Sequence, residues 1–424
     1  MFILYILWYQ CNAWWGLIVT LNEGNLVRAI ILAAGEGKRL RPFTESMSKV
    51  MLPVANKPIL EYVVDAVTGC GIEDIVMVLG YGKERIMDYF GDGKEFGANI
   101  KYVFQEKQLG TGHALIQAKE EFEDESIVLA GDNIIDSSLI SKVINQDGLA
   151  LLYVTHERPS KYGVVKVDGG LIKNIYEKPK EDIGNLISTG IFKFEGNISN
   201  DLEKHVSQGH NSLTSFVQIL LKNGKDIASV KGNGIWQDAV YPWDLLNINE
   251  TALQNCSRSV AGKIEKGVEI RGNVSIGENS IIRSGSYIIG PVAIGEGCEI
   301  GPNVCIFPST SIGSGVTVEV FSEIKNSIIM NNVVVGSRSS VLQSVIGKGC
   351  EIGSNFTSTA GDAYIKIDDS NEFHMVKDIG AFIGENCEIG SGVLIDHGKI
   401  IGKNCKISAQ RRITENVKSE GIVV

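Results

Sequence analysis

From Arg28 onward, short apolar runs rich in β-branched residues alternate with stretches of helical period. "RAIILAA" is followed by "PILEYVVDAVTGCG", then "DIVMVLG", a polar helix around Lys83 to Phe90, "IKYVFQ", a further helix from Gly112, and "SIVLAGD". Continuous apolar strands separated by helices predict a parallel sheet covered on both faces, a doubly wound α/β domain. Ligands of such sheets sit at the carboxyl ends of the strands. The glycine turn after Ala34 and the Asp132 after "VLAG" both fall there, so the two are expected to face one cleft.

The second half changes period. Ile264, Ile270, Ile276, Ile282, Ile288, Ile294, Ile300, Ile306, Ile312, Val318 and Ile324 recur every six residues. Neither a helix nor an ordinary strand has that period, but a β-helix of short flat strands does, stacking one aliphatic side chain per face into a continuous core. After a register shift the repeat is expected to resume at Ile328, Val334, Ile346 and Ile352, with Ser340 in one slot. A third frame runs through Ile383, Ile389, Ile395, Ile401 and Ile407, and residues Ser354 to Gly380 read as an excursion loop. Cys298, Cys350, Cys387 and Cys405 each stand four residues after a repeat isoleucine, as in "IGEGCEI". They are read as small buried filler rather than ligands.

A chain of 424 residues with 44% apolar content can bury a large core and points to two domains. The formal charge of −10 argues against a general nucleic-acid or acidic-membrane binder, so any anionic ligand must be met locally. Eight cysteines without a CxxC pair disfavour zinc, redox and disulfide chemistry and fit a reduced cytoplasmic chain. The first 21 residues, "MFILYILWYQCNAWWGLIVTL", carry no charge and hold three of the five tryptophans. They lack the basic start of a signal peptide, and Gln10 and Asn12 interrupt a spanning helix, so residues 1–26 are read as an extension outside the fold and not as a membrane anchor.

The candidate chemistry begins at "LAAGEGKRLRPFTESMSKVMLPV", Leu32 to Val54. "GEGKR" is not a Walker loop, since no GK[ST] follows, and it lacks the third glycine of the dinucleotide fingerprint. What remains is a turn whose glycines let backbone N–H groups approach a phosphate chain, with Arg39 and Lys49 to neutralise it. A plain tight turn with solvated charges fits the same residues.

Further stretches bear on that choice. The segment Leu32 to Thr44 with Lys49, Pro53 and Val54 resembles the signature of the sugar-1-phosphate nucleotidylyltransferases. "QEKQLGTGHA" from Gln105, "AGD" at Asp132, "KYGVV" at Tyr162 and Gly163, "EKPK" from Glu177 and "WQDAVYPWDLLNIN" from Trp236 follow in that family's order. With the six-residue repeat behind them, the chain from about residue 28 resembles the bifunctional nucleotidylyltransferase and acetyltransferase enzymes of archaeal type. The resemblance implies a Rossmann-like nucleotidyltransferase domain over 27–245, a linker over 246–262, and a left-handed parallel β-helix of hexapeptide repeats over 263–424.

It also implies roles. Arg39 and Lys49 would act on the triphosphate of UTP or dTTP, with Leu32, Ala34, Gly35 and Gly37 around the nucleotide and Gln105, Gly110 and Thr111 at its pyrimidine base. Asp132 and Asp238 would hold Mg²⁺; each aspartate read alone fits a cap or turn better, and its place within a matched motif reverses that. Gly163, Glu177, Lys178, Ser188 and Thr189 would line the pocket of a sugar-1-phosphate. His113 reads as a structural residue at its helix start. Two departures stand out: Ser188 where the family often has Asn, which bears on the sugar, and Val240 where it often has Gly.

For the β-helix the resemblance implies a trimer that binds acetyl-CoA between coils. The His and Tyr expected before "SVIGKG" are replaced by Ser337 and Ser340, while "GAFIG" from Gly380 matches. His374 and His397 are the remaining candidate bases. The sequence reading is therefore a cytoplasmic, Mg²⁺-dependent nucleotidylyltransferase with weakened or absent acetyl transfer. A fully bifunctional enzyme and a catalytically silent sugar-nucleotide sensor are its rivals.

Overall fold

The computed structural model describes residues 27–366 and 373–424, so the extension read at 1–26 lies outside the described residues. The strands β1 (Val27–Ala33), β2 (Asp74–Leu79), β3 (Asn99–Phe104) and β4 (Glu125–Ala130) pair in parallel, with β1 between β2 and β4. Ile30 and Ile31 on β1 are both sealed, because helices cover both faces. The helices α1 (Ile59–Thr68), α2 (Lys83–Phe90) and α4 (Ser137–Ile144) pack on one side with Ile31 and Met77. On the other side α3 (Thr111–Ile116), α5 (Ser199–Ser207) and α6 (Leu213–Lys222) pack with Ile30 and Val78.

The sheet as a whole is mixed, which corrects the all-parallel expectation. Its remaining strands are β5 (Leu149–Thr155), β6 (Gly163–Asp168), β7 (Leu171–Glu177), β8 (Leu186–Glu195) and β9 (Ile227–Lys231), in the order β3-β2-β1-β4-β8-β5-β9-β7-β6. β8 runs antiparallel to both β4 and β5. β6 and β7 are joined by only Gly169 and Gly170, both at positive φ, a two-residue turn that forces an antiparallel hairpin.

From Ser259 the chain winds into a parallel β-helix whose three faces are sheets of eight, nine and eight strands. The first coils repeat at 18 residues, as in Ile276 beneath Ile294 and Ile294 beneath Ile312. The second frame then holds only in part: Ile346 and Ile352 fall inside as read, but the three slots before them differ. Ile329, Val335 and Val341 stack on Ile312, Val318 and Ile324, whereas Ile328 faces the first domain, Val334 is exposed and Ser340 is half-buried. The cause is a corner shortened by one residue, turning at Asn326 with positive φ, so that these coils hold 17 residues. The third frame falls inside as read, and so do the four cysteines. Cys298, Cys350 and Cys387 each donate from Sγ to the carbonyl of a glycine in the next coil, at 3.0–3.1 Å.

The excursion is not a loop throughout. Ser358 still belongs to a coil, and Gly361–Lys366 pairs antiparallel with Phe373–Ile379 as a hairpin. Alternation explains it: Ala363, Ile365 and Val376 face the body while Tyr364, Phe373 and Met375 face out.

The stretch read as a linker, 246–262, carries most of α7 (Asp244–Gln254), which packs in one core with Leu52, Val54 and the β-helix residues Ile328, Val345 and Phe382. Fully buried Asn249 sits at its centre. Its Oδ1 accepts from Ala55 N and Ser311 Oγ, both at 2.8 Å, and its Nδ2 donates to Ser309 O at 2.9 Å. The two domains thus share a buried polar junction. Among the described residues no helix is long and apolar enough to cross a membrane.

Candidate active site

The loop after β1 is shaped before any ligand arrives. Gly37 adopts a left-handed conformation, φ 74°, that a side chain would strain, and a Cβ there would lie 2.8 Å from Lys49 Cβ. Thr44 Oγ1 donates to Gly37 O at 2.8 Å, and buried Leu40 and Phe43 anchor the far side of the loop. Arg39 is left exposed on a short 3-10 turn beside the cleft, its guanidinium 5.8 Å from the ring centre of Tyr241.

Across the loop, Lys49 Nζ pairs closely with Asp132 Oδ2. Asp132 follows the end of β4. Asn133–Ile135 beside it pairs antiparallel with Trp236–Asp238, so that Asp238 stands opposite Asn133 and next to Asp132. Tyr162 donates its hydroxyl to Asp238 Oδ1 at 2.6 Å, and its ring lies edge-on to Trp236 and His156. Burial raises the Asp238 carboxyl pKa above its ordinary value; Lys49 opposes this and Asp132 adds to it. Burial likewise raises the Tyr162 hydroxyl, with the Asp238 charge adding to it.

One end of the cleft is built by the chain after β3. Gln105 is 4% exposed; its Nε2 reaches Gly110 O at 3.1 Å and His113 Nδ1 at 2.9 Å. A carbonyl can only accept, so Nε2 must face Gly110 and Oε1 is left as the acceptor. Gly110 has φ 142°, and a Cβ on it would meet Asn211 O at 2.5 Å. That carbonyl also accepts from Gly112 N at 2.7 Å, while Thr111 Oγ1 accepts from Leu213 N at 3.0 Å.

The opposite end is built by β6, β7 and β8. Gly163 opens β6, Glu177 closes β7, and Lys178 N donates to Tyr162 O at 3.0 Å; the Glu177 and Lys178 side chains pair at 3.4 Å. β8 bulges between Ser188 and Phe192. There Gly190 N donates to Ser188 Oγ at 3.3 Å, and the hydroxyl of buried Thr189 donates to Leu152 O at 2.9 Å, so Thr189 contributes shape to the wall while its proton is spent elsewhere.

Leu32, Ala34, Gly35, Gly37, Arg39, Lys49, Gln105, Gly110, Thr111, Asp132, Gly163, Glu177, Lys178, Ser188, Thr189 and Asp238 all line one cleft of about 660 Å³. Such a volume suits a nucleotide-sized ligand. Sequence reasoning missed Tyr162 as the partner of Asp238 and His113 as the partner of Gln105, since neither contact leaves a spacing signal. Val240, the second departure, is buried; its N–H and that of Tyr241 donate to Asp244 Oδ2 at 2.9 and 2.7 Å.

Neither candidate acetyl-transfer histidine stands clear of structural contacts. His374 packs against Tyr241 and Trp243, and His397 lies with Nδ1 3.4 Å from Thr359 Oγ1, which also accepts from His397 N at 2.9 Å. Ser337 Oγ donates to Ser354 Oγ at 3.1 Å.

Residues 28–255 match the nucleotidyl transferase family, residues 288–360 the GMPPB C-terminal domain, and residues 380–409 the hexapeptide repeat of succinyl-transferase. The chain is similar to the bifunctional protein GlmU of Methanococcus maripaludis, 38% identical over 409 residues that cover 93% of this chain and 96% of the relative. It is also similar to a bifunctional sugar-1-phosphate nucleotidylyltransferase/acetyltransferase of Sulfurisphaera tokodaii, 33% identical with 91% and 96% covered. Among solved structures, a Bacillus anthracis protein assigned as a glucose-1-phosphate thymidylyltransferase, in complex with sucrose, superimposes with a TM-score of 0.50 at 29% identity, covering 53% of this chain and 95% of that one.

Proposed function

Because the chain belongs to the archaeal-type family of bifunctional sugar-1-phosphate nucleotidyltransferases and acetyltransferases, we propose that it uses UTP or dTTP with Mg²⁺, releasing pyrophosphate and a nucleotide sugar. Sugar-1-phosphate nucleotidyl transfer comes with the family. The observation that supports the finer reading is the meeting in one cleft of Arg39, Lys49, Asp132 and Asp238, with Gln105 at one end and Glu177 and Lys178 at the other.

In this reading a sugar phosphate oxygen attacks the α-phosphorus in line, and the bond to the leaving pyrophosphate breaks as the new P–O bond forms. The protein positions the reactants and neutralises charge. Arg39 and Lys49 meet the triphosphate, and the amides of Gly35 and Gly37 lie against it. Gln105 Oε1 accepts from the N3–H of uracil or thymine, held by Gly110 O and His113 at its other end. Glu177 accepts from sugar hydroxyls and Lys178 meets the sugar phosphate.

The donor set fits Mg²⁺. Among the described residues no cluster of three or more metal-binding side chains exists, and two carboxylates completed by phosphate oxygens and water are what this hard cation takes. When bound there, the ion supplies charge neutralisation at the phosphates. Asp132 and Asp238 would hold it, with Lys49 shared between Asp132 and the triphosphate and Tyr162 fixing Asp238.

For the second domain we infer weakened or absent acetyl transfer and a role in building a trimer, supported by Ser337 and Ser340 and by the packing of His374 into the domain junction. The names of the relatives favour the second reading, full bifunctionality with acetyl-CoA. Thiol release from acetyl-CoA with glucosamine-1-phosphate, abolished by His374→Ala, would establish that reading. The free, buried repeat cysteines support a cytoplasmic location.

An Asp132→Asn variant tests enzyme against sensor. The proposal expects pyrophosphate release to be lost while the nucleotide still binds; unchanged release would overturn the role given to Asp132.

A further inference from the structure

The hairpin inserted in the β-helix does not hang free of the first domain. His374 sits with its ring centre 4.5 Å from that of Tyr241 and 5.7 Å from that of Trp243, and the two latter rings stack on one another at 4.8 Å and 20°. Trp243 in turn meets Phe382 of a β-helix coil edge-on at 6.5 Å. At the other end of this run the Arg39 guanidinium lies 5.8 Å from the Tyr241 ring centre. A continuous path of aromatic contacts therefore leads from the β-helix to the exposed arginine of the glycine loop.

Other contacts tie the same loop to the same domain. Leu40 and Phe43, which follow Arg39, share one core with Ile365, Val376 and Ile379 of the hairpin. Six residues beyond Arg39, Glu45 accepts from Ser419 Oγ at 2.9 Å and lies 3.9 Å from Lys403 Nζ, both in the last coils of the β-helix. Among the described residues no hydrogen bond or ion pair holds the Arg39 side chain. It is exposed, and a long exposed side chain gives up rotamer freedom whenever it engages an anion. A ring fixed beneath it reduces that loss, and the contact is worth up to about a factor of five in affinity at an exposed site.

We propose that His374, acting through Tyr241 and Trp243, is a positioning residue for Arg39, so that the β-helix hairpin tunes triphosphate binding in the first domain. This rests on the reading of the cleft as a nucleotide site. It assigns to the second domain a role in the first reaction that is independent of acetyl transfer.

The test uses the full chain and whichever of UTP and dTTP the wild type binds more tightly, with dissociation constants for that nucleotide and for glucose-1-phosphate measured by calorimetry. His374→Ala is expected to weaken the nucleotide about two- to threefold, a part of what the Arg39–Tyr241 contact supplies, and to leave glucose-1-phosphate within about 1.3-fold. His374→Phe, which restores an aromatic face, is expected to return the nucleotide to within about 1.3-fold of wild type. In an Arg39→Ala background the His374→Ala effect should vanish. If His374→Ala fails to fold, His374→Leu keeps most of the volume without the ring and takes its place. Unchanged nucleotide affinity in the folded variant, equal weakening of both ligands, or the same loss without Arg39 would overturn the proposal. Because the readout is binding, a wild type that binds nucleotide without releasing pyrophosphate would sink the catalytic reading and still leave the positioning role measurable; a wild type that binds neither nucleotide would overturn both.

Discussion

Replacing Gln105 by Glu changes one atom group and keeps the side chain's shape, so its effect can be worked from contacts alone. In the native site Nε2 donates toward Gly110 O and His113 Nδ1. A carboxylate oxygen placed there can no longer donate to Gly110 O and faces that carbonyl at a distance set for attraction, about 3.1 Å, while His113 keeps its contact by donating from Nδ1 in its other tautomer. One lost buried hydrogen bond at ~1 kcal/mol, plus roughly 1–2 kcal/mol for the Gly110 carbonyl left unsatisfied, gives roughly 2–3 kcal/mol. If that cost falls on forming the base pocket, kcat/KM for UTP or dTTP drops about 30- to 150-fold. The KM for the sugar-1-phosphate should stay within about twofold, because β6, β7 and β8 at the other end do not touch Gln105. His113→Ala removes only one of the two contacts and should cost about fivefold. Steady-state kinetics with each substrate varied reads these numbers. A Gln105→Glu enzyme within about twofold of wild type for both nucleotides would refute the assignment of this pocket to the base.

Asn249→Leu removes three buried hydrogen bonds at the domain junction and strands Ala55 N and Ser309 O, so it should destabilise by roughly 3–5 kcal/mol. Calorimetry should show the first domain melting earlier while the β-helix transition holds. Asp244 has its pKa raised by burial to about 6 from an ordinary 3.8, so the folded chain holds the proton more tightly than the unfolded one. Stability should therefore fall as pH rises from about 3.8 to about 6, by an amount on the order of 2–3 kcal/mol. Asp244→Asn can still accept from Val240 N and Tyr241 N with one oxygen; denaturant titration should find it more stable than wild type at pH 7 and without that advantage near pH 4. Gly37→Ala places a methyl 2.8 Å from Lys49 Cβ at a strained φ, and pyrophosphate release should drop at least about tenfold, the result of displacing Lys49 by a fraction of an ångström.

The parts of this architecture that were legible from sequence are those written in a period or a contiguous motif. Aliphatic residues at six-residue spacing specify a coil, because each must face the same narrow interior. The nucleotide-side residues Gly35, Gly37, Arg39, Gln105 and Asp132 follow the ends of β1, β3 and β4, and the parallel pairing of those strands brings the ends together. What was not legible depends on single residues that change geometry without changing pattern. A corner shortened at Asn326 moves the inward frame from Ile328 to Ile329, although both positions are isoleucine. The glycine pair between β6 and β7 makes those two strands an antiparallel hairpin. Asn249 looks like any polar helix residue until two domains close over it, and the partnership of Tyr162 with Asp238 spans 76 residues. The hairpin's alternation is short enough that a loop and a strand pair read alike.

Mg²⁺-dependent pyrophosphate release from UTP and dTTP, each paired with glucose-1-phosphate and with N-acetylglucosamine-1-phosphate, tests the central claim most directly. The account predicts turnover in at least one pairing, abolished by a chelator and restored by added Mg²⁺. Silence in every pairing, with nucleotide still bound, would contradict it and leave the sensor reading in its place.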